Sequence, residues 1–233
     1  MIDSSSHAGV QHFLQKMKAS ELDREGARGL VVGFGEGHEA DYLQNHTRAR
    51  IYGIDIRSRI PANQNPSFSP ILASAMDLPF KESSFDFVFY HHVIEHVPSP
   101  IATLVEISRL LVPGGALYIG TPNRHRIIGY TGAYRISLGR KIRNNLMDYK
   151  YRILGKFHNE MGAHAGFSKA ELERMLNPYF TDLQWLTEDY LIFKYQQRFH
   201  PAALNFLLKP YVLEFAAPSI YVMCHKPAVD QKS

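Results

Sequence analysis

Cysteine is almost missing from these 233 residues. The single thiol, Cys224, excludes an internal disulfide framework and a thiolate zinc cluster. Long apolar runs are missing too, since the longest stop well short of the roughly 18 residues that cross a bilayer. The opening run MIDSSSHAGVQHF has neither the charged start nor the apolar stretch of an export signal. The expectation is therefore a cytoplasmic chain. With 45% hydrophobic residues over this length, 1–233 should bury one core and form a single domain.

Acids are scarce in one place. Residues 124–157 carry nine basic side chains (Arg124, Arg126, Arg135, Arg140, Lys141, Arg143, Lys150, Arg152 and Lys156) against Asp148 alone. That segment is +8, so the remainder of a chain of net charge +4 is −4. An acidic body with one basic segment calls for an anionic partner there. Tyr130, Tyr134, Leu138, Ile142, Leu146, Tyr149 and Ile153 interleave with the charges. The pattern has three readings: a solvated surface, a lid over an anionic acceptor, or a contact with nucleic acid or a membrane surface.

What is present is a strand and helix alternation. Residues 1–28 form a lead-in in which Val10, Phe13, Leu14 and Met17 share helical spacing. Strands are expected at 29–32, 51–55, 70–72, 85–90 and 117–120, with helices at 39–44 and 101–111. The prolines between Pro61 and Pro66 leave little room for a crossover helix. After Asn123 the rhythm breaks into a basic insert, 124–167, and resumes with a helix capped by Ser168. Two final strands are expected at 184–193 and 218–225, with a Leu/Phe-rich insert within 190–216. Such alternation calls for an α/β fold with a mostly parallel sheet covered on both faces.

Gly33, Gly35 and Gly37 lie between the first strand and its helix, where backbone turns sharply and can approach a ligand closely. A ligand-free tight turn is the alternative. Asp55 ends the second strand 18 residues after Gly37, where a carboxylate can accept both ribose hydroxyl protons of a nucleoside. A dinucleotide fingerprint would need glycine at 38, where His38 stands, so an NAD-type oxidoreductase is disfavoured.

The G-x-G-x-G pattern resembles motif I of class I methyltransferases that use S-adenosylmethionine (SAM). The runs Met76-Asp77-Leu78-Pro79-Phe80, Ser84-Phe85-Asp86, Val93-Ile94-Glu95-His96-Val97-Pro98, Leu111-Val112-Pro113-Gly114-Gly115 and Thr121-Pro122-Asn123 resemble one large subfamily in order and spacing. The resemblance implies a doubly wound, seven-stranded sheet with an antiparallel last strand. SAM would lie across the carboxyl ends of the strands, leaving as S-adenosylhomocysteine. It implies that Gly33, Phe34, Gly35 and Gly37 line the methionine and ribose side, and that Asp55 binds ribose. Ile56 would pack on adenine, Ala75, Met76 and Asp77 would edge it, and Tyr90 and His91 would close the methionine end. Two positions depart from the subfamily, since Val31 and Ser74 stand where acids are usual.

Methyl transfer from a sulfonium is an in-line displacement, and a histidine near neutral pKa is the natural proton acceptor. His91, His92 and His96 follow the fourth strand and are the candidate bases, each with packing as its alternative. His92 to His96 also spells H-x-x-E-H, but Pro98 would end a zinc-binding helix within a turn, and no metal is assigned. The expected acceptor atom is oxygen, ahead of nitrogen or carbon, on a small or lipid-linked anionic molecule. RNA and other nucleic acids rank below it, and no Asn/Asp-Pro-Pro-aromatic run of a DNA amino-methylating enzyme follows strand four. A SAM-binding partner protein without catalysis is the rival from another class.

Overall fold

The computed structural model describes residues 8–20, 22–130, 137–159 and 164–228. Seven strands form one sheet: β1 (Arg28–Val32), β2 (Arg50–Asp55), β3 (Ser69–Leu72), β4 (Phe85–His91), β5 (Leu111–Pro122), β6 (Thr181–Trp185) and β7 (Ser219–His225). Their spatial order is β3-β2-β1-β4-β5-β7-β6. Only β7 runs against the others, pairing antiparallel with both β5 and β6. The four central strands are buried almost throughout because helices cover both faces.

On one face α1 (Ala8–Ala19), α2 (His38–His46) and α6 (Thr187–Tyr195) pack over Phe87, Phe89 and Tyr118. Val10, Phe13, Leu14 and Met17 of α1 are all buried, as their spacing predicts. Phe13 stacks at a tilt on Phe89 with ring centroids 5.2 Å apart. A polar tie crosses this layer. Asp189 of α6 accepts from His12 Nε2 at 2.8 Å, which leaves His12 Nδ1 to accept from the Tyr118 hydroxyl at 2.9 Å. Burial holds the His12 pKa below its usual value, although Asp189 opposes this.

On the other face α3 (Pro100–Leu110) and α5 (Lys169–Leu176) pack over Val88, Tyr90 and Leu117. Ser168 and Glu171 form a reciprocal capping box that starts α5. As the prolines imply, no helix joins β2 to β3.

One expectation fails. The stretch 184–193 is not a strand: β6 stops at Trp185 and α6 begins at Thr187. Leu186, Tyr190 and Leu191 are buried at helical spacing, and Glu188 and Asp189 sit in the first turn, where the helix dipole favours acids. The insert within 190–216 is helical, with α7 (Pro201–Leu207) and α8 (Pro210–Ala216) each opened by proline. The basic segment contributes α4 (Leu138–Ile153), and the part of that expectation falling on 131–136 and 160–163 lies outside the described residues.

Candidate active site

Strand β1 runs into a turn in which Gly33, Gly35 and Gly37 have φ of 77°, 55° and 87°. Gly33 N and Phe34 N both donate to Ile54 O, at 2.7 and 3.2 Å, which lays the turn against the end of β2. Asp55 then fastens it: Oδ2 accepts from Gly35 N at 2.9 Å and Oδ1 from Arg57 N at 3.1 Å. A Cβ on Gly33 would lie 2.4 Å from Val93 Cγ2, so the loop after β4 rests on this glycine. A Cβ on Gly35 would meet nothing within 4 Å. Gly35 therefore faces open space at the point where strand order reverses between β1 and β4, the place where open α/β sheets bind ligands.

The residues named for the adenine side gather on the same edge of the sheet. Ile56 is 77% exposed beside Asp55. Beyond β3, the Ser74 hydroxyl accepts from Met76 N at 3.2 Å and Ser74 O from Asp77 N at 3.1 Å. Ser74 closes the turn. Ala75 is buried, Met76 half-buried and Asp77 exposed. Glu106 and Arg109 of α3 hold this loop from behind. Glu106 accepts from Leu78 N at 3.0 Å, and Arg109 donates to Phe80 O and Leu78 O. The hydrogen bond from Arg109 is the main reason that the Glu106 pKa lies below its ordinary value. Sequence reasoning missed both residues, whose signal was an acid and a base three apart on one helix.

Three of the side chains named for the site pack into the fold. The Phe34 side chain is buried against the Phe68 ring, 5.5 Å between centroids, so only its backbone faces the turn. The Tyr90 side chain is wholly buried on the α3 face. His91 points to the opposite face, packed so tightly that a Cβ on Gly9 or Gly120 would strike its ring at 2.5 Å. Its Nδ1 donates to Glu39 Oε1 at 2.8 Å, and among the described residues its buried Nε2 has no partner. The imidazole packs against the end of β4, with 13% of its side chain exposed.

His92 is placed differently. Its N–H donates to Gly120 O at 2.7 Å and its φ of 53° turns the side chain out of the sheet, leaving it 38% exposed. Glu95, in the single turn Ile94–His96, is buried and links the group, with Oε1 3.4 Å from His92 Nδ1 and 3.9 Å from His96 Nε2. Thr121 of β5 donates to its Oε2 at 3.1 Å. Burial would raise the Glu95 pKa, but His92 and His96 outweigh it and hold the carboxyl ionised. Burial and then the neighbouring His91 lower the His92 pKa, and burial lowers that of His96, whose ring meets His164 edge-on at 4.7 Å. Among the described residues, no three His, Cys, Asp or Glu side chains are grouped to hold a metal ion.

The basic segment is split in its use. Arg124, Arg126 and Arg152 turn inward. Arg124 pairs with Glu171, Arg126 with Asp148, and Arg152 donates to the carbonyls of Arg124 and Arg126. Arg140, Arg143, Lys150 and Lys156 are exposed.

Residues 30–119 match the model of a methyltransferase domain family. Over 114 residues the chain is 33% identical to a ubiquinone biosynthesis O-methyltransferase of Xanthomonas oryzae, covering 46% of this chain and 47% of that protein. It is 31% identical to a demethylmenaquinone methyltransferase of Oceanobacillus iheyensis, covering 43% and 48%. The chain thus spans about half the length of the curated relatives it matches. The fold is shared with phosphoethanolamine N-methyltransferase 2 of Haemonchus contortus, solved with SAM, at a TM-score of 0.58 and 17% identity over 93% of this chain and 52% of that one. It is also shared with the [4+2]-cyclase SpnF, at a TM-score of 0.52 and 18% identity over 93% and 81%.

Proposed function

We propose that this chain is a SAM-dependent methyltransferase acting on an oxygen of a small, anionic acceptor. The observation that carries the reading is the Asp55 carboxylate. After accepting from two backbone N–H groups it keeps lone pairs for ribose hydroxyls, beside a glycine turn whose outer face is open. A dinucleotide fits this place poorly, because Glu39 and Asp41 occupy the first turn of α2, where a pyrophosphate would need positive potential. The matched methyltransferase domain and the O-methyltransferase relative support the same choice.

SAM, when bound, supplies a methyl group on a sulfonium. The chain's own part is to hold the ribose at Asp55 and the adenine at Ile56 and the Ala75 to Asp77 loop, and to receive the acceptor's proton. His92 is assigned that last role, with His96 second. Their lowered pKa values keep the imidazoles neutral near pH 7, and Glu95 stabilises the imidazolium that proton transfer creates.

Titration calorimetry tests the reading. SAM and S-adenosylhomocysteine should bind and NAD should give no heat; NAD binding without a response to either SAM-type ligand overturns it. The pH profile checks the base. Since a lowered pKa keeps the basic form down to more acidic pH, the acid limb of kcat should lie below the usual imidazole value of about 6.5. Replacing His92 with Gln should abolish that limb and cost about 10²–10⁴ in kcat, while His91→Gln should act through stability. A normal profile in His92→Gln would move the role to His96.

A further inference from the structure

Helix α4 is amphipathic in the reverse sense for a surface helix. Its polar side holds it to the body: Asn145 Oδ1 accepts from Gly129 N at 2.7 Å, Asp148 pairs with Arg126, and Arg152 Nη2 donates to Arg124 O and Arg126 O at 2.7 and 3.0 Å. Its apolar side faces water. Leu138 is 75% exposed, Ile142 55%, Leu146 63% and Ile153 86%. At about 100° per residue these four fall within one arc of about 80°. A single exposed leucine needs no explanation, but a stripe along a 16-residue helix marks a surface that meets something. The stripe also continues off the helix, since the Tyr149 hydroxyl donates to Ile127 O at 2.6 Å and Ile127 is 55% exposed.

Charge says what covers the stripe. Lys150, Arg143 and Arg140, all exposed, follow it around the helix in the next arc of about 120°. The sole acid of 124–157, Asp148, is turned inward to Arg126. Among the described residues, no carboxylate is paired with Arg140, Arg143 or Lys150. The partner must therefore offer hydrocarbon and negative charge side by side along about 24 Å, the length of sixteen helical residues. A second copy would bring the same cations with no carboxylate to meet them. Single-stranded nucleic acid is held by stacking on aromatic rings, and this stripe is aliphatic. An anionic bilayer supplies acyl chains for the stripe and phosphates for the cations.

We propose that α4 docks the chain on the surface of a bilayer rich in anionic lipid. The helix axis lies in the membrane plane, with Leu138, Ile142, Leu146 and Ile153 among the acyl chains and Arg140, Arg143 and Lys150 at the phosphates. Because Arg126 and Arg152 tie α4 to the carbonyls of Asn123, Arg124 and Arg126, docking also sets the carboxyl end of β5 toward the membrane. Docking of this kind goes beyond the methyl-transfer reading and does not depend on it.

The full chain is sedimented with vesicles of pure phosphatidylcholine and of equal parts phosphatidylcholine and phosphatidylglycerol. Binding to the mixed vesicles should be at least tenfold tighter and should weaken as salt rises, because charges are screened beyond about 8 Å at physiological salt. Ile142→Gln with Leu146→Gln, which leaves the charge unchanged, should weaken it at least tenfold. Arg143→Glu with Lys150→Glu should do the same. Lys18→Glu with Lys81→Glu, an equal charge change at exposed positions outside the segment, should not. A fluorophore on Ile153→Cys should shift to the blue on mixed vesicles and one on Lys18→Cys should not; the native thiol, Cys224, is buried and does not compete for label. Equal binding to both vesicle types overturns the site, as do equal loss in the Lys18 and Lys81 variant, indifference to the two Gln changes, or no blue shift at Ile153→Cys. Tighter binding to polyuridylate than to mixed vesicles overturns it in favour of nucleic acid. A dimer in light scattering that the two Gln changes dissolve overturns it in favour of a second copy.

Discussion

Arg126→Met should destabilise the chain by about 3–5 kcal/mol, the cost of leaving a buried charge without its partner. Arg126 is only 4% exposed. Its Nη2 donates to Asp148 Oδ2 at 2.8 Å and to His164 O at 2.8 Å, and its Nη1 to Asn123 O and Ala165 O at 3.0 and 3.1 Å. It thus ties the end of β5, α4 and the 164–165 loop into one body. Among the described residues, Asp148, itself buried, would keep only the Tyr130 hydroxyl, 3.1 Å from Oδ1. Adding Asp148→Asn should recover part of the loss, because the orphaned charge goes with it. Urea denaturation measures both. A loss below about 1 kcal/mol would show that the pair behaves like a solvated surface ion pair.

Asp55→Ala should weaken SAM binding by about 1.5–3 kcal/mol, the range for hydrogen bonds to a charged group, or roughly 10- to 150-fold. Gly35→Val should be worse. Its side chain would project into the open space at the glycine turn, and φ of 55° is strained for a β-branched residue. Calorimetry with S-adenosylhomocysteine, beside a thermal melt to confirm folding, separates lost affinity from lost structure. Unchanged affinity in both variants would place the ligand elsewhere.

The sheet is legible because its strands are short apolar runs punctuated by glycine and proline, and the α1 core positions because four apolar side chains share one helical stripe. The stretch 184–193 misleads because alternating apolar residues over a few positions fit strand and helix alike. The tertiary contact of Leu186, Tyr190 and Leu191 with the α1 face decides for helix. In the site, Gly33, Gly35 and Asp55 are legible from spacing alone. His91 and His92 are not separable, because adjacent strand residues point to opposite faces and only the bend at His92 turns its side chain out. Charge counting likewise does not reveal that Arg124, Arg126 and Arg152 spend their charge inside the chain.

The place of β7 has a consequence for how the chain is made. Residues 219–225 fill the slot between β5 and β6, so nothing translated earlier can pair with the outer edge of β5. On the ribosome that edge stays open, with its N–H and C=O groups unpaired, and β6 has no neighbour to join. A growing chain in this condition offers a template for strand exchange with other nascent chains. The twelve-residue strand β5, apolar along most of its length, carries that open edge until β7 pairs with it.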